Sequence, residues 1–195
     1  MDEAITQGVA RLRPNPPANA SALRSAEQAS GVVWPDDYRS VLMIANGGEG
    51  FLSDDLYMVL WPAEQIHHLN EAYGVRQYAP GLLLFGSNAG GDAYAFDMRE
   101  QTKPVVTVPF VGMDLKRVEF IAPSLLEVLR LTMRQGHGHA ARPDLFGKEV
   151  FEIKPIILGG HPTDPRNKAI VGRQEHIELV RYWNRLIRSV GPTAD

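Results

Sequence analysis

The sequence predicts an α+β fold, a mainly antiparallel sheet flanked by helices, with a C-terminal β-turn-α extension. Three observations carry this. Two segments with helical spacing of apolar residues lie near the start. A run of short β-branched and aromatic segments follows. One amphipathic helix then closes that run, and another closes the chain.

The elements follow in order. The first thirteen residues, MDEAITQGVARLR, are acidic and then amphipathic, and residues 14–20, PNPPANA, are too proline-rich for regular structure. Ser21 is the expected N-cap of a helix closed by Gly31. Pro35 suits the first position of the next helix, where Asp36 and Asp37 favour the positive end of its dipole. Tyr38, Val41, Leu42 and Ala45 form its apolar stripe, and Asn46-Gly47-Gly48 ends it. NGGEG and FLSDD read as a turn and a loop. LYMVLW (56–61) reads as a buried strand, and a helix runs from Pro62 to Gly74.

LLLFG and AYAFD read as strands joined by SNAGGD. Nucleotide phosphate loops need a Lys after the glycines and a helix whose N-terminus faces the phosphate. Here a strand-like alternation follows instead, so the segment reads as a hairpin connection. Asn88, Gly90 and Gly91 are expected to supply its unusual backbone angles. Tyr94 and Phe96 then point to one face, and Ala93, Ala95 and Asp97 to the other. PVVTVPF (104–110) and RVEFIA (117–122) are further strands. Ser124 and Glu127 make a capping box for a helix ending at Gly136. The final helix spans about Gln174 to Val190, with Ile177, Val180, Trp183, Ile187 and Val190 as its apolar stripe and Gly191-Pro192 as its stop.

Composition narrows the function. With 195 residues, 44% of them hydrophobic and 22% charged, the chain can bury a core of its own. It has no cysteine, which excludes disulfides, thiolate metal sites and cysteine nucleophiles. No secretory leader and no membrane span are expected from its apolar runs. Residues 1–136 carry eleven Lys+Arg against sixteen Asp+Glu, and residues 137–195 nine against seven. An acidic first part with a mildly basic second part argues against coating of nucleic acid.

The ordered motifs Pro35, Tyr38, Leu42; Asn46, Gly47, Gly48; Phe85, Gly86; Gly90, Gly91, Asp92; and Tyr94, Phe96, Asp97 resemble the SUKH superfamily. That superfamily includes fungal cell-wall-synthesis regulators and many bacterial immunity proteins. The resemblance implies a SUKH-like binding domain over residues 20–136, followed by an extension over 137–195. It implies structural roles for Pro35, Tyr38, Asn46, Gly47, Gly86, Gly90, Gly91, Tyr94 and Phe96. It implies no catalytic residue, cofactor or metal, a bacterial, cytoplasmic setting, and docking on a cognate protein toxin, such as a nuclease. A regulatory scaffold that recruits an enzyme is the alternative. No membrane and no direct nucleic-acid partner are expected.

The extension holds two more motifs. His137 and His139 in GHGHAARPDLFG read as a solvated pair in a linker, without a third ligand nearby. Ile153, Pro155, Gly159, Gly160, Pro162, Asp164, Pro165, Asn167 and His176 resemble the second half of an HNH nuclease finger. In such a finger a general-base His stands beside a metal-binding Asp, and here those positions are Glu152 and Phe151. Phe cannot ligate a metal. The segment reads either as a degenerate finger or as a coincidental Gly/Pro-rich β-turn-α unit, with a metal-dependent nuclease as the least favoured option.

Two surfaces are expected to meet a partner. Glu49, Asp54, Asp55, Asp92 and Asp97 would form one negative patch if they share a face. Arg181, Arg185 and Arg188 on the final helix form a basic stripe.

Overall fold

The sheet expected from the run of apolar segments is present and antiparallel throughout. A computed structural model describes residues 2–134 and 145–190. In chain order the elements are α1 (Glu3–Arg11), β1 (Arg13–Pro14), α2 (Ala20–Ser30), α3 (Asp36–Ile44), β2 (Gly48–Ser53) and β3 (Leu56–Leu60). Next come α4 (Ala63–Tyr73), α5 (Val75–Tyr78), β4 (Leu82–Ser87), β5 (Asp92–Asp97), β6 (Val105–Pro109), β7 (Glu119–Ala122) and α6 (Leu125–Arg134). The C-terminal unit adds β8 (Lys148–Glu152), β9 (Lys168–Gly172) and α7 (Arg173–Val190). Strands β1 to β7 form one sheet in sequence order, and β8 and β9 pair as a separate hairpin. The expected boundary at residues 136 and 137, His137, His139, and the stops at Gly136 and Gly191-Pro192 lie outside the described residues.

Several boundaries differ from the sequence reading. Asn19, not Ser21, caps α2, its Oδ1 accepting from Ala22 N at 2.8 Å. Pro35 is the N-cap residue of α3 rather than its first helical residue. The segment read as turn and loop, 48–53, is strand β2, paired with β3 from Gly48↔Leu60 to Ser53↔Leu56. Its two glycines and one serine hid a strand whose stability comes from its neighbours rather than from propensity.

Both sheet faces are covered, so the expected alternation in β5 leaves Ala93 through Asp97 all buried. On the Tyr94/Phe96 face, Tyr38 of α3 packs against Phe85 and Phe96, with ring centroids 5.6 and 5.1 Å away. On the opposite face, Phe110 meets Tyr73 of α4 at 4.5 Å and His176 of α7 at 4.9 Å. The hairpin of β8 and β9 joins this second face through Val150 N, which donates to Ala89 O at 2.9 Å.

Strand β3 pairs with β4 only at Val59↔Ser87 and Leu60↔Gly86. Helix α4 takes up the space beyond. The Asn70 side chain donates to Leu84 O and accepts from Leu84 N, at 2.8 and 2.9 Å, in place of a neighbouring strand. Helix α3 ends one residue before the expected Asn46-Gly47-Gly48, with extended Ala45 as its C-cap, and Asn46 instead starts α4. Its Oδ1 accepts from Ala63 N at 2.8 Å, because Pro62 offers no capping side chain.

SNAGGD is a hairpin connection, with Ser87↔Ala93 closing the β4–β5 ladder. Its left-handed residues are Ala89 (φ 53°) and Gly91 (φ 113°), not Asn88 or Gly90. Asn88 contributes differently: its Oδ1 accepts from Gly90 N and Asp92 N, at 2.7 and 3.0 Å. Gly91→Ala is therefore expected to destabilise the protein by ~1–3 kcal/mol. Gly90→Ala should stay within about 0.5 kcal/mol of wild type. Denaturant titration of both variants checks this, and equal midpoints would remove the backbone argument.

Candidate partner-binding site

In an up-and-down sheet, alternate connections emerge at the same end. The β2–β3 turn, the β4–β5 hairpin and the segment between β6 and β7 share one end here. That end carries Asp54 and Asp55, both exposed, and Asp92 and Glu119 at the starts of β5 and β7. Asp92 is half-buried, and burial raises its pKa, while its Oδ2 accepts from Asn88 Nδ2 at 2.9 Å. Arg117 stands among them, its guanidinium donating to Val111 O and Gly112 O at 3.1 and 3.0 Å.

Two of the expected acids do not join this group. Asp97 lies at the far end of β5, about 17 Å along the strand at ~3.4 Å per residue. It is buried and held by Arg99, whose Nη2 is 2.5 Å from Asp97 Oδ2, and this pair lowers its pKa. Glu49 faces the C-terminal unit, where its Oε1 accepts from Gly147 N at 2.9 Å and burial raises its pKa. The patch thus contracts to Asp54, Asp55 and Asp92, with Glu119 added.

The connection between β8 and β9 reaches the same end. Ile156 and Ile157 line a cleft of about 130 Å³ together with Gly90, Gly91 and Asp92. Ile153, Ile156, Ile157 and Leu158 are 54%, 49%, 47% and 39% exposed. Asn167 holds this apolar ridge in shape: its Oδ1 accepts from Lys154 N at 2.8 Å, and its Nδ2 donates to Lys154 O and His161 O at 2.9 and 3.1 Å. Large aliphatic side chains displayed on a hydrogen-bonded loop make a preorganised contact surface.

The seam between sheet and C-terminal unit holds the strongly perturbed groups. Glu149 is 1% exposed, its Oε1 accepting from Ser87 Oγ at 2.8 Å, and burial pushes its pKa up to about 7. His176 is also 1% exposed, with Nδ1 2.9 Å from Tyr73 Oη, and burial with the Arg173 charge pushes it down to about 4. Asn184 accepts from Gly112 N and donates to Phe110 O, at 2.6 and 2.9 Å. Sequence reading missed Glu149 and Asn184. Asn184 had a legible signal, a polar residue seven positions after Ile177 and four after Val180, in register with the buried stripe.

The C-terminal unit is a hairpin followed by a helix, and its chemistry-bearing positions are occupied structurally. Phe151 is buried against the His176 ring, 5.7 Å between centroids. Glu152 pairs with Lys168 at 2.8 Å and accepts from Ile156 N. Among the described residues no group of three or more His, Asp or Glu side chains is arranged to hold a metal ion. Arg181, Arg185 and Arg188 lie on α7, Arg181 and Arg185 on its outer side, while Arg188 donates to Gln77 O at 2.7 Å and covers the Tyr78 ring.

A model of the SMI1/KNR4 family (SUKH-1) matches residues 17–131. The chain belongs to this family. The matched SUKH-1 region runs from the approach to α2 into α6, and the C-terminal unit lies beyond it. No curated protein matches the chain. Within the SUKH-1 region, Tyr38, Tyr94 and Phe96 are core residues and Asn46 caps α4, while Gly90, Gly91 and Asp92 lie at the sheet end. No described helix is long and apolar enough to cross a membrane.

Proposed function

We propose that this SUKH-1 protein is a non-catalytic, immunity-type binding protein that neutralises a cognate protein toxin by docking on it in the cytoplasm. The observation that carries the reading is the sheet end. An exposed apolar ridge, Ile153, Ile156, Ile157 and Leu158, reaches Asp92 at the end of the sheet that also carries Asp54, Asp55 and Glu119. An apolar centre with a charged rim is how protein interfaces are built. The acids favour a basic toxin and would speed its approach.

The test is binding kinetics against a cognate toxin, for which a toxin gene directly upstream would be the first source. Asp54→Asn/Asp55→Asn/Asp92→Asn should slow association about tenfold at low salt and much less at high salt. Ile156→Ser/Ile157→Ser should speed dissociation. Folded variants with unaltered kinetics would move the interface off this end. The catalytic alternative has its own check: the protein should not cut DNA or RNA with magnesium, manganese or zinc, and activity lost in Glu152→Ala would overturn the binding reading.

A further inference from the structure

Helix α7 has two apolar stripes: the fold buries one and covers the second only in part, Leu179 and Trp183 packing against the core while Tyr182 and Leu186 stay exposed. Its docked side is His176, Ile177, Val180 and Asn184, all buried against the sheet and α4. The second stripe is Leu179, Tyr182, Trp183 and Leu186, spaced i, i+3, i+4, i+7, the repeat of a helix that packs on another helix. Tyr182 and Leu186 are 54% and 36% exposed, and Leu179 and Trp183 are half-buried. The Tyr182 ring meets Trp183 edge-on at 5.3 Å, so the stripe is already ordered.

The charges beside this stripe select its occupant. Acids lie in the first half of the helix, Glu175 and Glu178, and bases in the second, Arg181, Arg185 and Arg188. Glu178 and Arg185 flank Tyr182 at i−4 and i+3, on the same border of the stripe. Glu178 accepts from Gln174 Nε2 at 3.0 Å, and Arg185 Nε donates to Arg181 O at 3.2 Å. Among the described residues neither enters an ion pair. Two such helices placed antiparallel about a twofold axis bring Glu178 of each opposite Arg185 of the other, and align Leu179 with Leu186. A parallel pair would put these two borders on opposite sides of the seam, where Glu178 and Arg185 meet no partner in each other.

We propose that α7 pairs with α7 of a second copy of this chain, antiparallel and twofold, through Leu179, Tyr182, Trp183 and Leu186 with Glu178–Arg185 ion pairs at the border. This goes beyond toxin docking and uses none of the sheet-end residues.

Sedimentation equilibrium of the full chain tests it. The wild type should shift from monomer to dimer as concentration rises to about 100 µM, as mass action requires. Leu186→Glu should be monomeric with an unchanged melting curve, because the side chain is partly exposed. Glu178→Arg or Arg185→Glu alone should weaken association about tenfold, and the two together should restore it, since the swap rebuilds the cross-copy pair. A wild type that stays monomeric overturns the proposal. So does a double swap no better than the singles. A monomeric wild type whose Leu186→Glu variant loses toxin binding would assign the stripe to the toxin and overturn self-pairing as well.

Discussion

Glu149→Gln is expected to remove a stability advantage that the wild-type protein holds in acid. In the folded chain the Glu149 carboxyl titrates near 7 instead of 4.5, because burial, together with the Glu49 charge, disfavours its ionised form more than the Ser87 hydroxyl and Arg173 restore it. A raised folded value contributes stability that is present below the unfolded value and lost as pH rises through the folded one. The wild-type minus Glu149→Gln difference should therefore fall between pH 4.5 and pH 7. The fall should total about 3 kcal/mol. His176 carries the opposite sign. Its folded value near 4 lies below the ordinary 6.5, so its contribution is lost as pH drops through that range. The wild-type minus His176→Gln difference should thus rise by a similar amount, about 3 kcal/mol, from acid to neutral pH. Across the shared window the two groups change stability in opposite directions, so each offsets part of the other in the wild-type protein. Urea titrations at several pH values read both differences. Variant curves parallel to wild type at every pH would show that neither group titrates abnormally.

Gly86→Val is expected to be the most damaging single change in the sheet. A Cβ at this position would stand 2.2 Å from Val59 O, inside the β3–β4 ladder. Overpacking of a filled interior costs ~1–3 kcal/mol and more where backbone must move. Here the obstacle is backbone, and β3 has just two residues paired with β4. Displacing Val59 would separate β1, β2 and β3 from the rest of the sheet. Loss of about 3 kcal/mol or more in denaturant titration is the expected result. A Gly86→Val protein of wild-type stability would mean that the strands approach less closely than described.

How much of this was legible in the sequence depended on where each signal comes from. Helices α3, α4 and α7 and strands β3 to β7 announced themselves through local periodicity and caps, within a few residues of their observed bounds. Strand β2 did not, because GEGFLS has turn-like composition and is held by β1 and β3. The candidate site was partly legible. Asp54, Asp55 and Asp92 come together at one end, but Asp97 and Glu49 are consumed by Arg99 and by the C-terminal unit. Charge is visible in a sequence, whereas the partner that neutralises it across 98 positions, as Glu49 meets Gly147, is not. The same holds for α7, where periodicity picked out Ile177, Val180 and Trp183, which all pack on the core, but passed over the buried Asn184. Two stripes on one helix look alike until the sheet chooses between them.

The Asn70 amide has a mechanical meaning. It locks α4 to the Leu84 peptide, and a helix fixed at one residue has its rotation fixed at all others. Tyr73 follows three positions later on the same side and holds His176 of the C-terminal unit. Three residues along the strand from Leu84, Ser87 holds Glu149 of that unit directly. One strand thus positions its neighbour through two linkages, one straight and one geared through a helix. An error in either would oppose the other, so the C-terminal unit cannot slide along the sheet without breaking both.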